Sequence, residues 1–248
     1  MAVRRFYIEP EQLEKQDQRI TGRQADHIRK VLRLPKGEAI QLVNGKGGVF
    51  NARITGFEQG AVRVAVESRT EDHSESGLDL TVAQGFLKEA KMDDLVRQAT
   101  ELGITRWIPV ITERTVARPD AGRLKKRVER WRSIAIEAIK QCGRSTAPEI
   151  SSAYDFSEVL DLADTVDMPV FFWENTNLPI FEPSVRRPGS VLLLIGPEGG
   201  FTENEARQAD ERGLRFASLG PRILRAETAA VAACSLAQYL FGDLQKSP

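Results

Sequence analysis

The chain has 248 residues with 35 basic and 35 acidic side chains, so its net charge is zero, and 41% of it is hydrophobic. That is a globular composition with room for one large domain or a small one beside a medium one. No apolar run reaches the length of a transmembrane helix, the N-terminal MAVRRFYIEPEQLEK lacks a signal-peptide core, and two distant cysteines with two histidines fit neither a disulfide framework nor a zinc site. The expectation is a metal-free protein of the reducing cytoplasm with no membrane association.

The chain opens in β style. Asp26–Leu34 predicts a short helix stopped by Pro35 and Gly37. Ala39–Val43, Val49–Ile54 and Ala61–Val66 are short alternating runs, the first two joined by the glycine-rich hairpin signal Asn44–Gly48. Closely spaced strands of this kind predict a small barrel. Glu71–Gly77 is polar and aperiodic, and predicts a linker.

Beyond it strands and helices alternate. Leu80–Gln84, Trp107–Ile111, Val170–Trp173 and Val191–Ile195 predict strands, and Lys91–Leu102, Leu124–Gln141 and Ala226–Leu240 predict helices. Continuous apolar strands between helices predict an α/β domain with a mainly parallel sheet. Arg114–Arg144 holds ten basic against three acidic residues, a distribution that suits either a solvated helix face or a phosphate backbone.

Two strand-to-helix connections stand out. In Leu192–Glu205 (LLLIGPEGGFTENE) a buried strand runs into a glycine loop, and Thr202 with Glu205 forms a capping box for the next helix. Such a loop brings backbone N–H groups to the carboxyl end of a strand, where ligands of α/β proteins bind. The dinucleotide and Walker fingerprints are absent. Glu198, an acid in a glycine turn, has no packing role legible in the sequence and is placed to accept hydrogen bonds from a ribose or amino group. In Leu219–Thr228 (LGPRILRAET) the strand end Phe216–Leu219 leads to Gly220-Pro221, two arginines and Glu227 before an apolar helix. Surface Arg–Glu pairs at a helix start are the plain alternative. A third stretch, KQCGRSTAPEI, sets Gln141 and Arg144 around a Gly143 helix end.

GPEGGFTENE followed by LGPRILRAETA, together with FLKEAKMDDLVRQATELG, KQCGRSTAPEI and HIRKVLRL, resembles the RsmE family of 16S ribosomal RNA uridine N3-methyltransferases, of the SPOUT class. The resemblance covers nearly the whole chain. It implies a PUA-like β-barrel over residues 1–72 and a SPOUT-type α/β domain with a trefoil knot over 73–248. It also implies S-adenosylmethionine as cofactor, 16S rRNA of the small ribosomal subunit as substrate, and a homodimer. One cofactor loop would be formed by Leu194, Ile195, Gly196, Glu198, Gly199 and Gly200. The other would be Leu219, Gly220, Ile223, Leu224 and Arg225. Arg225 and Glu227 are the expected catalytic pair, Arg225 steadying the uracil anion and Glu227 orienting it or removing a proton. His27, Arg29, Lys30, Arg33, Gln141 and Arg144 are the expected RNA contacts. Lys140 stands where family members usually carry Glu. A ribose 2′-O-methyltransferase of the same class and a non-catalytic RNA-binding factor are the alternatives.

Overall fold

The computed structural model describes residues 4–116, 120–178 and 187–245. The chain divides into two compact units. One takes in the chain up to Glu75 and Ile136–Ala147; the other takes Ser76–Ala135 and the chain from Pro148 onward.

The first unit is a five-stranded sheet. Its strands are β1 (Arg5–Tyr7), β2 (Gln18–Thr21), β3 (Ala39–Val43), β4 (Val49–Glu58) and β5 (Ala61–Thr70), in the order β1-β3-β4-β5-β2. All pairs are antiparallel except β1 with β3. β4 and β5 run past the expected ends, because the hairpin continues to pair after its apolar alternation fades. Two register shifts in that ladder obscure the pattern in sequence. Two short helices complete the unit, α1 (Pro10–Leu13) and α2 (Gly22–Asp26), and α2 runs into a π-helical turn, His27–Val31. The helix expected from Asp26 therefore begins earlier. It stops at Leu32, where Arg33 turns left-handed (φ 50°) ahead of Leu34 and Pro35.

Glu75 fastens the end of this unit. One of its oxygens accepts the backbone N–H of Ser145 and Thr146, both at 2.9 Å; the other accepts Arg144 Nε and Nη2 at 3.1 and 2.9 Å. The expected linker is irregular, as its composition predicts, but it is tied down rather than loose.

The second unit is a parallel sheet of seven strands. In chain order they are β6 (Asp79–Gly85), β7 (Arg106–Ile111), β8 (Glu149–Ile150), β9 (Tyr154–Asp155), β10 (Met168–Phe172), β11 (Ser190–Ile195) and β12 (Arg215–Ala217). Their order is β12-β10-β11-β6-β7-β8, with β9 paired to the end of β7. Between them lie α3 (Glu89–Glu101), α4 (Ala121–Cys142), α5 (Phe156–Ala163), α6 (Glu203–Glu211) and α7 (Ala226–Leu240). The apolar strands read as continuous runs because both faces are covered. Along β11, Val191, Leu193 and Ile195 enter one core with α3 and α7, while Leu192 and Leu194 enter the other with α5 and α6. No helix among the described residues is long and apolar enough to cross a membrane.

Cys234 lies in α7, 1% exposed, and burial pushes its thiol up to about 12; Cys142, at the end of α4, is exposed. The thiolate is the reactive form. An aromatic disulfide reagent at pH 8 is therefore expected to label one thiol per native chain and two after unfolding.

Candidate active site

The cleft is built where β10, β11 and β12 end side by side. Each strand delivers its backbone into a loop at the same edge of the sheet, the position where open α/β sheets bind ligands. The loops are 173–177, 196–200 and 218–225, and α7 with Lys91 of α3 closes the wall. The cavity is about 570 Å³.

Two features hold the glycine loop in place. The first is a backbone crossing. A Cβ on Gly85, at the end of β6, would stand 2.5 Å from the Pro197 nitrogen and 2.9 Å from the Gly196 carbonyl carbon. Only glycine lets these two segments pass. The fully buried Gln84 sews them together, its Nε2 donating to the carbonyls of Gly85 and Gly196 at 3.0 Å each. Its Oε1 has no partner among the described residues. The second is the capping box of α6, present as the sequence predicts. Glu205 is 1% exposed. One of its oxygens accepts the Thr202 N–H at 2.8 Å; the other reaches across to the Glu113 N–H at 2.9 Å. The macrodipole of α6 favours this buried anion. Arg114, on the segment thus anchored, donates through Nη1 to the Gly199 carbonyl at 2.7 Å.

The cleft walls carry three carboxylates, Glu174, Glu198 and Glu227, and three cations, Lys91, Arg222 and Arg225. Glu198 does have a role in packing. Its Oε1 lies 3.4 Å from the Lys88 N–H at the start of α3 and 3.5 Å from Lys91 Nζ. Lys91 also holds both oxygens of Glu227 at 3.1 Å. Glu227 is held below the usual carboxylate range by its own backbone N–H at the start of α7, then by Lys91 and Arg225, against the opposing effect of burial. Arg225 is the N-cap residue of α7 and is exposed.

Of the residues expected at the cofactor loops, Ile195, Gly196, Glu198, Gly199, Gly200, Leu219, Gly220, Ile223, Leu224 and Arg225 line the cleft, as does Glu227. Leu194 does not. Strand alternation turns its side chain into the core under α5 and α6. Ile223 is 90% exposed at the rim. Of the expected RNA contacts, His27, Arg29, Lys30, Arg33 and Gln141 are exposed. Arg144 is buried, and its Nε and Nη2 donate to Glu75 within the first unit. Lys140 contacts Glu137 one turn back. Arg118, within the basic stretch, lies outside the described residues.

Sequence reasoning missed Lys91 and the third loop, Trp173, Glu174, Thr176 and Asn177. The signal for the loop was present. Val170–Trp173 reads as a buried strand, and the logic applied to the ends of the other two strands applies to it equally. Lys91 carried no such signal, because its partners come from residues 198 and 227.

A family model described as an RNA methyltransferase domain matches residues 74–238, and one described as an RNA methyltransferase PUA domain matches 20–65. The ribosomal RNA small subunit methyltransferase E of Synechocystis is 31% identical, over 92% of this chain and 75% of that protein. The chain belongs to this family. The Bacillus subtilis member is 30% identical over 96% of both chains. The Neisseria gonorrhoeae member, solved bound to S-adenosyl methionine, superposes with a TM-score of 0.87 at 33% identity, covering 98% of this chain and all of that one.

Gly85→Ala tests the crossing. The added methyl has to displace backbone rather than a flexible side chain, and overpacking of this kind costs about 1–3 kcal/mol. Urea denaturation is expected to show that loss, whereas Gly77→Ala, where a Cβ meets open space, is expected to be close to neutral.

Proposed function

We propose that the chain transfers a methyl group from S-adenosylmethionine to N3 of a uridine in the 16S RNA of the small ribosomal subunit, working in the cytoplasm as a homodimer. The observation that carries this reading is the cleft formed by three adjacent strand ends in a chain of the methyltransferase E family. Its volume lies within the range of about 300–1,000 Å³ usual for small-molecule sites. The lining suits the cofactor chemically: Phe172, Ile195 and Leu219 offer apolar surface for a base, and Glu174, Glu198 and Glu227 complement its cationic sulfonium and ammonium groups. Gly220, at φ 101° with open space around its Cβ position, leaves a close approach to backbone.

S-adenosylmethionine, held against Phe172, Ile195 and Leu219 with its cationic groups toward Glu174, Glu198 and Glu227, would supply a methyl activated by its bond to a positively charged sulfur. The protein supplies alignment, charge stabilisation and a destination for the N3 proton. Arg225 at the mouth of the cleft steadies negative charge developing on the uracil oxygens. Glu227, held as a carboxylate in the first turn of α7, receives the proton.

The same reading assigns residues 1–72 to a PUA-like barrel that grips RNA through the exposed His27, Arg29, Lys30 and Arg33. Residues 73–248 form the knotted catalytic domain. The tight crossing at Gly85 and the return of α7 onto β6 and β11 support the knot. Exposed Leu236 and Tyr239, one turn apart on α7, support a second copy there. Within residues 73–248, Ile136–Ala147 packs with the first compact unit rather than with the second.

The test is to incubate the protein with labelled cofactor and small subunits lacking the modification, then identify the methylated nucleoside by mass spectrometry. N3-methyluridine is expected; a 2′-O-methylated ribose or no transfer contradicts the proposal. Arg225→Ala is expected to lower kcat about 100-fold or more, with cofactor Kd changed less than about threefold.

A further inference from the structure

Lys91 is the one cation of α3 that reaches the cleft among the described residues, and its position there is unusual in what it joins. Its Nζ lies 3.1 Å from each oxygen of Glu227 and 3.5 Å from Glu198 Oε1. Three separate elements thus meet at one ammonium: the first turn of α3, the glycine loop after β11 and the first turn of α7. A lysine ammonium has three donors on a flexible stem, so it can serve two carboxylates at once. Neither acid is without other support. Glu227 has its own N–H and the neighbouring Arg225, and Glu198 has the Lys88 N–H. Among the described residues, Lys91 alone is in contact with both. The partner set is a third exposed, so the pair is worth little as a stability device. Its consequence is geometric. With Lys91 in place the Glu227 carboxylate is fixed by both oxygens against one wall; without it, two like charges share that wall and the carboxylate is free to turn.

We propose that Lys91 is a positioning residue for methyl transfer, holding Glu227 at the cleft wall in the orientation that receives the N3 proton. The proposal rests on the assignment of Glu227 as proton acceptor made above. The charged groups that act on Glu227 are Lys91 from α3 and Arg225 from its own helix start, Glu198 of the glycine loop shares the Lys91 ammonium with it, and Glu174 and Arg222 line the same cleft. Removing the Lys91 charge takes away a hydrogen bond and an opposite charge that both favour the carboxylate of Glu227, and so favours the protonated acid. The acid limb of the pH–rate profile then moves to higher pH, because a carboxylate whose ionised form loses its partner titrates later as pH rises.

The experiment compares wild type with Lys91→Met and Lys91→Arg on small subunits lacking the modification. Turnover is followed between pH 4.5 and 8, and cofactor affinity by calorimetry. Lys91→Met is expected to lower kcat about tenfold or more and to move the acid limb up by about one pH unit, with cofactor Kd within about threefold of wild type. Lys91→Arg is expected to restore the limb and most of kcat. Wild-type kcat and an unmoved limb in Lys91→Met overturn the proposal. So does a loss of turnover that merely follows a loss of cofactor affinity or fold, with no change in limb, since that is what a loop fastener would do. Glu227→Gln separates the two levels: full activity there removes the proton-acceptor assignment itself, whereas an inactive Glu227→Gln beside a normal Lys91→Met removes only the role of Lys91.

Discussion

At Gly85 the chain passes so close to Gly196 and Pro197 that no side chain fits between them. Gln84, buried one residue earlier, bonds both segments. This crossing determines where the glycine loop sits, and the rest of the cleft is referred to it. β11 brings the loop to the sheet edge, and the capping box at Thr202 launches α6 away from it. Glu205 then carries that helix start across to the segment at Glu113. The loop is therefore held from the β6 side and the α6 side at once. Its glycines leave backbone groups facing the cleft. Preorganisation of this kind places the cost of ordering in folding rather than in ligand binding.

Charge in the cleft follows from the same arrangement. Three acids and three bases line it, which matches a chain whose total charge is zero. The balance is local rather than diffuse. Lys91 takes Glu198 and Glu227, while Arg225 stays exposed at the mouth. An enzyme acting on RNA needs cations where the polyanion arrives, and carboxylates where a cationic cofactor lies and a proton leaves.

Much of this was legible in the sequence, for identifiable reasons. Period-2 alternation marked β3 and the starts of β4 and β5, and continuous apolar runs marked β10 and β11 as buried on both faces. Thr202 and Glu205 announced α6 through local capping chemistry. The two glycine connections located most of the cleft, because strand ends are where such folds bind ligands. What was not legible depends on partners distant in sequence. Arg144 looked like a solvent-facing arginine beyond a helix end, yet it is buried against Glu75, about seventy residues away in sequence. Glu198 had no legible packing partner in sequence, because Lys88 and Lys91, at the start of α3, lie more than a hundred residues away. Leu194 looked like part of the ligand loop, yet β-strand alternation turns it into the opposite core. The π-helical turn at His27–Val31 left no periodic signature, since one wider turn shifts the apolar face without extending it.

The cofactor site proposed for this chain is the cleft at the three strand ends. Calorimetric titration of S-adenosylmethionine into wild type and Ala229→Phe decides this, because Ala229 lines the cleft from α7, outside both glycine loops, and a larger side chain there takes up cleft volume. Binding at one site per chain in the wild type, weakened at least tenfold in a variant that melts within a few degrees of it, is the result expected. Equal affinity in the two proteins would place the cofactor elsewhere and contradict the account.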